Sequence, residues 1–374
     1  MEVAMSTTPS PESTAKEREA FVQRLLTSTA GAFDIFTLYI GDRLGFYRSL
    51  AEHGASTAGE LAARTGAYER YVREWLEQQT VAGILGVEDE HAAAGTRRYR
   101  LPDGHQEVLV DRDSLNYLAP LVQMVVGAVR PMHQLLKAYR SGKGVPYPYY
   151  GADFREGQAA MNRAMFLRQL GPEWLPSMTE VHRRLLADPP ARVADIGCGG
   201  GWSAIGIAQS YPKVRVDGYD LDEASVALAQ ANVAEAGLGD RVRIQHRDAA
   251  DPSLRGGYDL VTAFECVHDL SDPVGALRTM LGLARDGGSV IVMDERVGDR
   301  FTAKGNEVEW MMYGWSVLHC LPVGKADGRS AETGTVMRTE TLKQYAAQAG
   351  FCDVEVLPID SFFFRFYRLK AVCR

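Results

Sequence analysis

Residues 192–208, RVADIGCGGGWSAIGIA, constrain this chain more than any other stretch. A short apolar run, Val193-Ala194, leads to Asp195. Gly197, Gly199, Gly200 and Gly201 then crowd together before a small-residue helix pattern begins. Glycines between a strand and a helix let the backbone turn sharply and come close to a ligand. The helix start behind them offers unpaired N–H groups and a positive dipole end. The stretch therefore reads as a nucleotide-type site in an α/β fold.

The register of the glycines narrows the ligand. A dinucleotide fingerprint wants Gly-x-Gly-x-x-Gly/Ala straight after the strand. Started at Gly197, that pattern ends on Trp202 and fails. Started at Gly199, it ends on Ala204 and fits, but leaves Asp195 and Gly197 without a role. Asp-x-Gly-x-Gly-x-Gly, from Asp195 to Gly201, gives both a role. Acids then recur at the ends of later apolar runs. VRVDGYD ends on Asp220, about as far past the glycines as the ribose-bonding acid of doubly wound folds, roughly 20 residues. RVRIQH leads to Asp248-Ala249, YDLVTAFE ends on Glu265, and GGSVIVMDE ends on Glu295. Ligand sites of α/β sheets are built at these carboxyl ends.

Together these motifs resemble the class I S-adenosyl-L-methionine (SAM) dependent methyltransferases, from about residue 149 to the C-terminus. The segments GCGGGWS, DGYDLDEAS, HDLSDP, MDERV, SVLHCLP, GTVMR and FRFYRL resemble an actinobacterial small-molecule subgroup with an N-terminal winged-helix-like domain. The resemblance implies a Rossmann-like seven-stranded sheet in the order 3-2-1-4-5-7-6, closed by the C-terminal hairpin, with SAM as cofactor. It implies that Asp195, Gly197, Gly199 and Gly201 shape the methionine and ribose site. Asp220 is expected to bond the ribose hydroxyls and Leu221 to lie against the adenine. Asp248 and Ala249 would read the adenine amine and its neighbour, with Phe264 near the base or the methionine. His268, just beyond the fourth strand, is the first candidate for a general base, although histidines there also serve structural duty; Glu265 is the second. No metal is required for transfer from an already activated sulfonium.

Length and composition suit two domains. Residues 1–17 read as a disordered tail, 18–113 as a winged-helix-like dimerisation domain, 114–157 as a helical linker and lid, and 158–374 as the SAM-binding domain. Apolar residues in the first helix (Phe21, Leu25, Phe33, Phe36, Tyr39, Ile40) recur at helical spacing. Ser56, a short helix, a Thr-Gly turn and a longer helix have helix-turn-helix proportions, and VEDEHAAAGTRRYRL reads as a two-stranded wing. Across residues 56–90 Arg64, Arg70 and Arg73 are outnumbered by Glu60, Glu69, Glu74, Glu77, Glu88, Asp89 and Glu90, and a solvated face accounts for the basic cluster Arg97, Arg98 and Arg100 in the wing. With a net charge of −7, that balance points away from DNA and toward homodimerisation and substrate covering.

Pro131 is expected to break the long apolar helical stretch before the Tyr- and Pro-rich lid loop. The resemblance implies that the helical region from Ala159 onward closes over SAM; Met161, Met165 and Phe166 within it read as helix core in preference to direct ligand contacts. Trp310, Met311, Tyr313, Trp315 and His319 either line an acceptor pocket or pack a buried helix. No run of 18 apolar residues suggests a membrane span, and the N-terminus lacks the apolar core of a signal peptide. Five dispersed cysteines (Cys198, Cys266, Cys320, Cys352, Cys373) suggest reduced thiols in a cytoplasm rather than a disulfide framework. The expected activity is methylation of a small aromatic or heterocyclic metabolite on oxygen, nitrogen or carbon. A ligand-sensing regulator that keeps the fold without catalysis is the alternative from another class, and a NAD-dependent dehydrogenase stands third.

Overall fold

The computed structural model describes residues 10–328 and 330–372, and the chain divides into two units between Asp111 and Arg112. The first unit holds helices α1 (Pro11–Arg43), α2 (Phe46–His53), α3 (Ala58–Thr65) and α4 (Glu69–Val81), a two-stranded antiparallel ribbon of β1 (Gly86–Val87) and β2 (Tyr99–Arg100), and α5 (Asp103–Leu109). Helix α1 opens at Pro11, inside the segment whose composition suggested disorder. Ser10 caps it by accepting the Ser13 N–H, and Pro11 stands at the first helical position, where its missing N–H costs nothing. Thr57, not Ser56, caps α3, in a reciprocal capping box with Glu60. Ser56 instead pairs with Tyr99 of the ribbon. The small core of this unit gathers Phe46, Tyr47, Leu61, Val72, Trp75 and Leu76.

The second unit opens with α6 (Ala119–Val129) and α7 (Met132–Ser141), separated at Pro131 as expected, and a 3₁₀ turn over Tyr147–Tyr150. Helix α8 (Gly151–Met165) runs into a π-helical stretch, Phe166–Trp174. Pro172 inside that stretch has no N–H for an α-ladder, so the turn widens. α9 (Leu175–Ser177) and α10 (Thr179–Leu186) lead to the sheet. Its elements are β3 (Arg192–Ile196), α11 (Trp202–Ser210), β4 (Arg215–Asp220), α12 (Glu223–Glu235), β5 (Val242–His246), β6 (Tyr258–Phe264), α13 (Pro273–Leu283) and β7 (Ala284–Glu295). Helix α14 (Glu307–Trp315) passes through a π turn, Ser316–Cys320, to α15 (Leu321–Gly324). α16 (Thr339–Ala349), β8 (Asp353–Val356) and β9 (Phe364–Lys370) complete the unit.

The sheet order is β5-β4-β3-β6-β7-β9-β8, parallel except for β9, which runs antiparallel to both β7 and β8. Counted from β3, this is the expected 3-2-1-4-5-7-6. Side chains alternate between two cores: Val193, Leu260 and Ile291 face one, and Ala194, Val261 and Val292 face the other. A central parallel strand is buried on both faces, which is why β6 reads as an almost unbroken apolar run. No helix of the described residues is long and apolar enough to cross a membrane.

Among the cysteines, Cys198, Cys266 and Cys320 are free and buried. Cys352 is disulfide-bonded, a correction to the expectation of reduced thiols throughout. Cys373 lies outside the described residues.

Candidate functional site: a cavity at the carboxyl ends of β3, β4 and β6

Gly197, Gly199 and Gly201 all adopt positive φ, at 64°, 49° and 79°. These are the three positions the Asp-x-Gly-x-Gly-x-Gly register singles out, and residues with a side chain rarely adopt that conformation. Gly200 is held by space instead: a Cβ there would come 2.5 Å from Cβ of Ala159 on α8. The loop thus turns three times while α8 presses directly on it.

Asp195 takes a different place from the one the resemblance implied. It is 1% exposed and does not reach the cavity wall. Its carboxylate accepts from Ser203 Oγ and from Thr262 Oγ1, the latter at 2.8 Å, tying β3 to α11 and β6. Burial pushes its pKa up to about 6 against the pull of those hydrogen bonds. Asp195 therefore positions the glycine loop from beneath.

Above the loop lies a cavity of about 360 Å³. Of the sequence-derived site residues, Gly197, Gly199, Asp220, Leu221, Asp248, Ala249, Phe264 and Glu265 line it, whereas Asp195, Gly201 and His268 do not. Gly201 is the N-cap of α11. At the end of β4, Asp220 accepts the Gly199 N–H at 2.8 Å and the Asp222 N–H at 2.9 Å. Burial raises its pKa, and these backbone donors oppose the rise.

The other end of the cavity carries the unusual acid. Glu265 follows β6 with φ 55°, a left-handed conformation uncommon for a residue with a long side chain. Its N–H donates to the Met293 carbonyl, its carboxyl meets Asn162 of α8, and Oε1 has no hydrogen-bond partner. Burial first, and then the neighbouring Glu295, push its pKa up to about 8. His268 sits behind this wall, 3% exposed. Its Nδ1 lies 2.8 Å from Asp294 Oδ1 and 3.1 Å from Glu295 Oε2. Burial opposes its charge, but the two carboxylates outweigh burial and raise its pKa. The imidazole thus turns Nδ1–H toward these carboxylates, away from the cavity wall.

The aromatic segment after β7 does not line this cavity. Trp310 is 72% exposed. His319 is buried, stacked on Phe154 at 3.8 Å, and burial pushes its pKa down to about 3. Only the residues just beyond it, Val323, Ala326 and Asp327, reach the wall. The resemblance implied that the helical region from Ala159 onward closes over the cofactor, but sequence reasoning did not name the residues of α8 that line the cavity, Arg155, Gln158, Ala159 and Asn162, with Phe166 one turn on. Their spacing of three and four is the signal that was available. Phe166, read as core, touches both: it lines the cavity and packs against Phe264 with ring centroids 5.7 Å apart.

Residues 194–290 match the methyltransferase domain family, and residues 32–111 match an Rv2258c-like winged helix-turn-helix domain. The match of residues 194–290 places a methyltransferase domain on the sheet of the second unit. Ajmaline N-methyltransferase of Rauvolfia serpentina is 30% identical over 105 residues, 28% of this chain and 36% of that protein. The chain spans less than half the length of the first curated relatives it matches. Mitomycin 7-O-methyltransferase MmcR superposes with a TM-score of 0.69 at 18% identity, covering 95% of this chain and 99% of that one. Human N-acetylserotonin methyltransferase in complex with SAM gives 0.66 at 18%, covering 94% and 98%. At such identities the likeness is one of fold. Among the solved structures of this fold, PigF is bound to SAH and human N-acetylserotonin methyltransferase to SAM, and the residues of this cavity fit that ligand. The cradle of positive-φ glycines admits close approach, Asp220 offers a carboxylate for hydroxyls, and no lysine stands in the loop for a phosphate.

Proposed function

We propose that this chain transfers the methyl group of SAM to a small, aromatic or heterocyclic acceptor. The observation that carries this reading is one cavity wall that joins the glycine cradle and Asp220 at one end to the half-buried Glu265 at the other. SAM supplies an electrophilic methyl group on a sulfonium. The chain has to place the acceptor in line with it, exclude water and remove a proton.

The residues divide these tasks. Gly197 and Gly199 bring backbone to the donor, and Gly201 starts α11 behind them. Asp220 bonds the ribose hydroxyls, and Leu221 lies against the adenine. Asp248 and Ala249 read the adenine edge, and Phe264 packs beside the methionine. Glu265 accepts the acceptor's proton: it faces the cavity, keeps an unpaired oxygen and has a pKa near the working range, as a general base needs. His268 supports it from behind, beside Glu295 and Asp294, and lowers the pKa of the carboxyls around it.

The same reading makes the chain a homodimer through its N-terminal unit. Along α1, Phe21, Val22, Leu25, Leu26 and Phe33 are each more than half exposed in a single copy. An apolar face of that length marks an interaction surface. The charge balance of α3 and α4 favours a second copy over nucleic acid.

Isothermal titration with S-adenosylhomocysteine (SAH), run beside NAD, tests the donor site. Binding of SAH alone is expected; binding of NAD in preference would refute the assignment. Light scattering across a dilution series tests the dimer.

A further inference from the structure

The cavity has a basic residue that none of the motifs points to. Arg155 projects from the first turns of α8 to the wall beside Asp220 and Asp222. Its Nε donates to Asp222 Oδ2 at 2.7 Å, and the two side chains are only 15% and 16% exposed. Asp222 is itself fixed. The same Oδ2 accepts from the N–H and the hydroxyl of Ser225, capping α12, and the Asp222 N–H holds Asp220. Burial works against the Asp222 charge, but Arg155 and Ser225 outweigh it and lower its pKa. The guanidinium also lies over the Tyr147 ring, 5.9 Å from its centroid. It is therefore locked through Nε on one side and against a ring on another. Among the described residues, nothing accepts from its two terminal nitrogens.

We propose that Arg155 binds the adenosine half of the donor, presenting its terminal N–H groups to the hydrogen-bond acceptors of the ribose and base while Asp222 holds it in place. This rests on the SAM reading given above. A latch that merely fastened α8 would need no free donors at the cavity wall. A guanidinium bound through Nε alone keeps a planar fork of N–H groups in one fixed orientation, which a lysine ammonium cannot reproduce. Its position decides which half of the donor it serves. It stands with Asp220, the acid proposed for the ribose, whereas Glu265, the proposed base, belongs to the segment after β6. Arg155 and Asp220 would grip the adenosine from two elements that are distant in sequence, α8 and β4.

The test is calorimetry on the full-length protein with SAH and with 5′-methylthioadenosine, which keeps the adenosine and lacks the amino-acid tail. In R155M both ligands are expected to weaken by the same factor, about 10- to 100-fold, as for a lost charge-assisted hydrogen bond. R155K should recover only part of it, and the melting temperature without ligand should stay close to wild type in R155K. A loss for SAH with none for methylthioadenosine would overturn the proposal by moving Arg155 to the amino-acid end. Unchanged affinity for both would overturn it by leaving only a structural latch. Failure of the wild type to bind SAH would instead remove the SAM reading itself.

Discussion

Asp220 and Glu265 occupy equivalent places, each at the carboxyl end of a parallel strand and each on the same cavity wall, yet their surroundings differ. Asp220 has backbone N–H groups on both oxygens, from Gly199 and Asp222, so its direction is set before any ligand arrives. Glu265 stands on a left-handed residue with one oxygen unpaired and a second acid, Glu295, close enough to raise its pKa. A buried acceptor left without a partner costs about 1–3 kcal/mol. Cost of that kind, placed on a cavity wall, fits a group kept free to react. The comparison teaches that burial alone does not define a role: backbone donors turn a buried acid into a fixed anchor, and their absence leaves a carboxyl oxygen without a partner.

The sharpest way to break this contrast is to neutralise each acid without changing its shape. For E265Q we expect kcat to fall by about 10²–10⁴-fold, the usual contribution of a positioned base, with SAH affinity nearly unchanged. A comparable loss of SAH affinity would make Glu265 a donor ligand instead. For D220A the order reverses: SAH affinity should fall on the order of 100-fold, as charge-assisted bonds are removed, while the protein still folds. Unchanged affinity by calorimetry would contradict the assignment of Asp220. The pH dependence separates the two further. Only the ionised form of Glu265 accepts a proton, and its pKa stands at about 8. The rate should therefore rise with pH and level off above about 8. Because Glu295 contributes to that elevation, E295Q should move the acid limb to lower pH. A limb that stays in place in E295Q would show that the two acids do not communicate.

Much of this was legible in the sequence, for reasons that can be named. The glycine register was readable because positive φ demands particular residues at particular positions, and all three fell where expected. The sheet was readable because β6 and β7 carry the apolar runs of buried parallel strands. The roles of individual acids were less legible. Asp195 belongs to the same motif as the glycines, but Ser203 and Thr262 turn its carboxylate into the core, and their approach depends on how α11 and β6 pack. His268 was the leading base candidate by position, yet Asp294 and Glu295 on β7 surround it from a strand 26 residues further along. Arg155 was missed because its partner, Asp222, lies 67 residues away. Long-range pairing of this kind leaves no local pattern. The exposed face of α1 shows the reverse case: the helical periodicity was plain, but not that a single copy leaves it uncovered.

The third acid at the sheet end, Asp195, supplies the smallest expected effect and the finest test. Its folded pKa, about 6, stands above the unfolded value of roughly 3.9. A carboxyl raised in this way favours the folded state fully below its unfolded pKa, and that contribution is lost as pH rises through about 6. Stability should therefore decline between about pH 4 and 6 on account of this residue. Ser203 Oγ supports the ionised form, so S203A should push the pKa higher and carry the decline further toward neutrality. At pH 7 the loss should be about 1–3 kcal/mol, the cost of a hydrogen bond to a charged group. At pH 4, where the carboxyl is protonated in the folded state and about half protonated in the unfolded state, which the two proteins share, the gap between S203A and wild type should narrow. Urea unfolding at the two pH values reads this difference directly. An equal loss at both would mean that Ser203 acts through packing alone, and that Asp195 does not need it to stay ionised beneath the glycine loop.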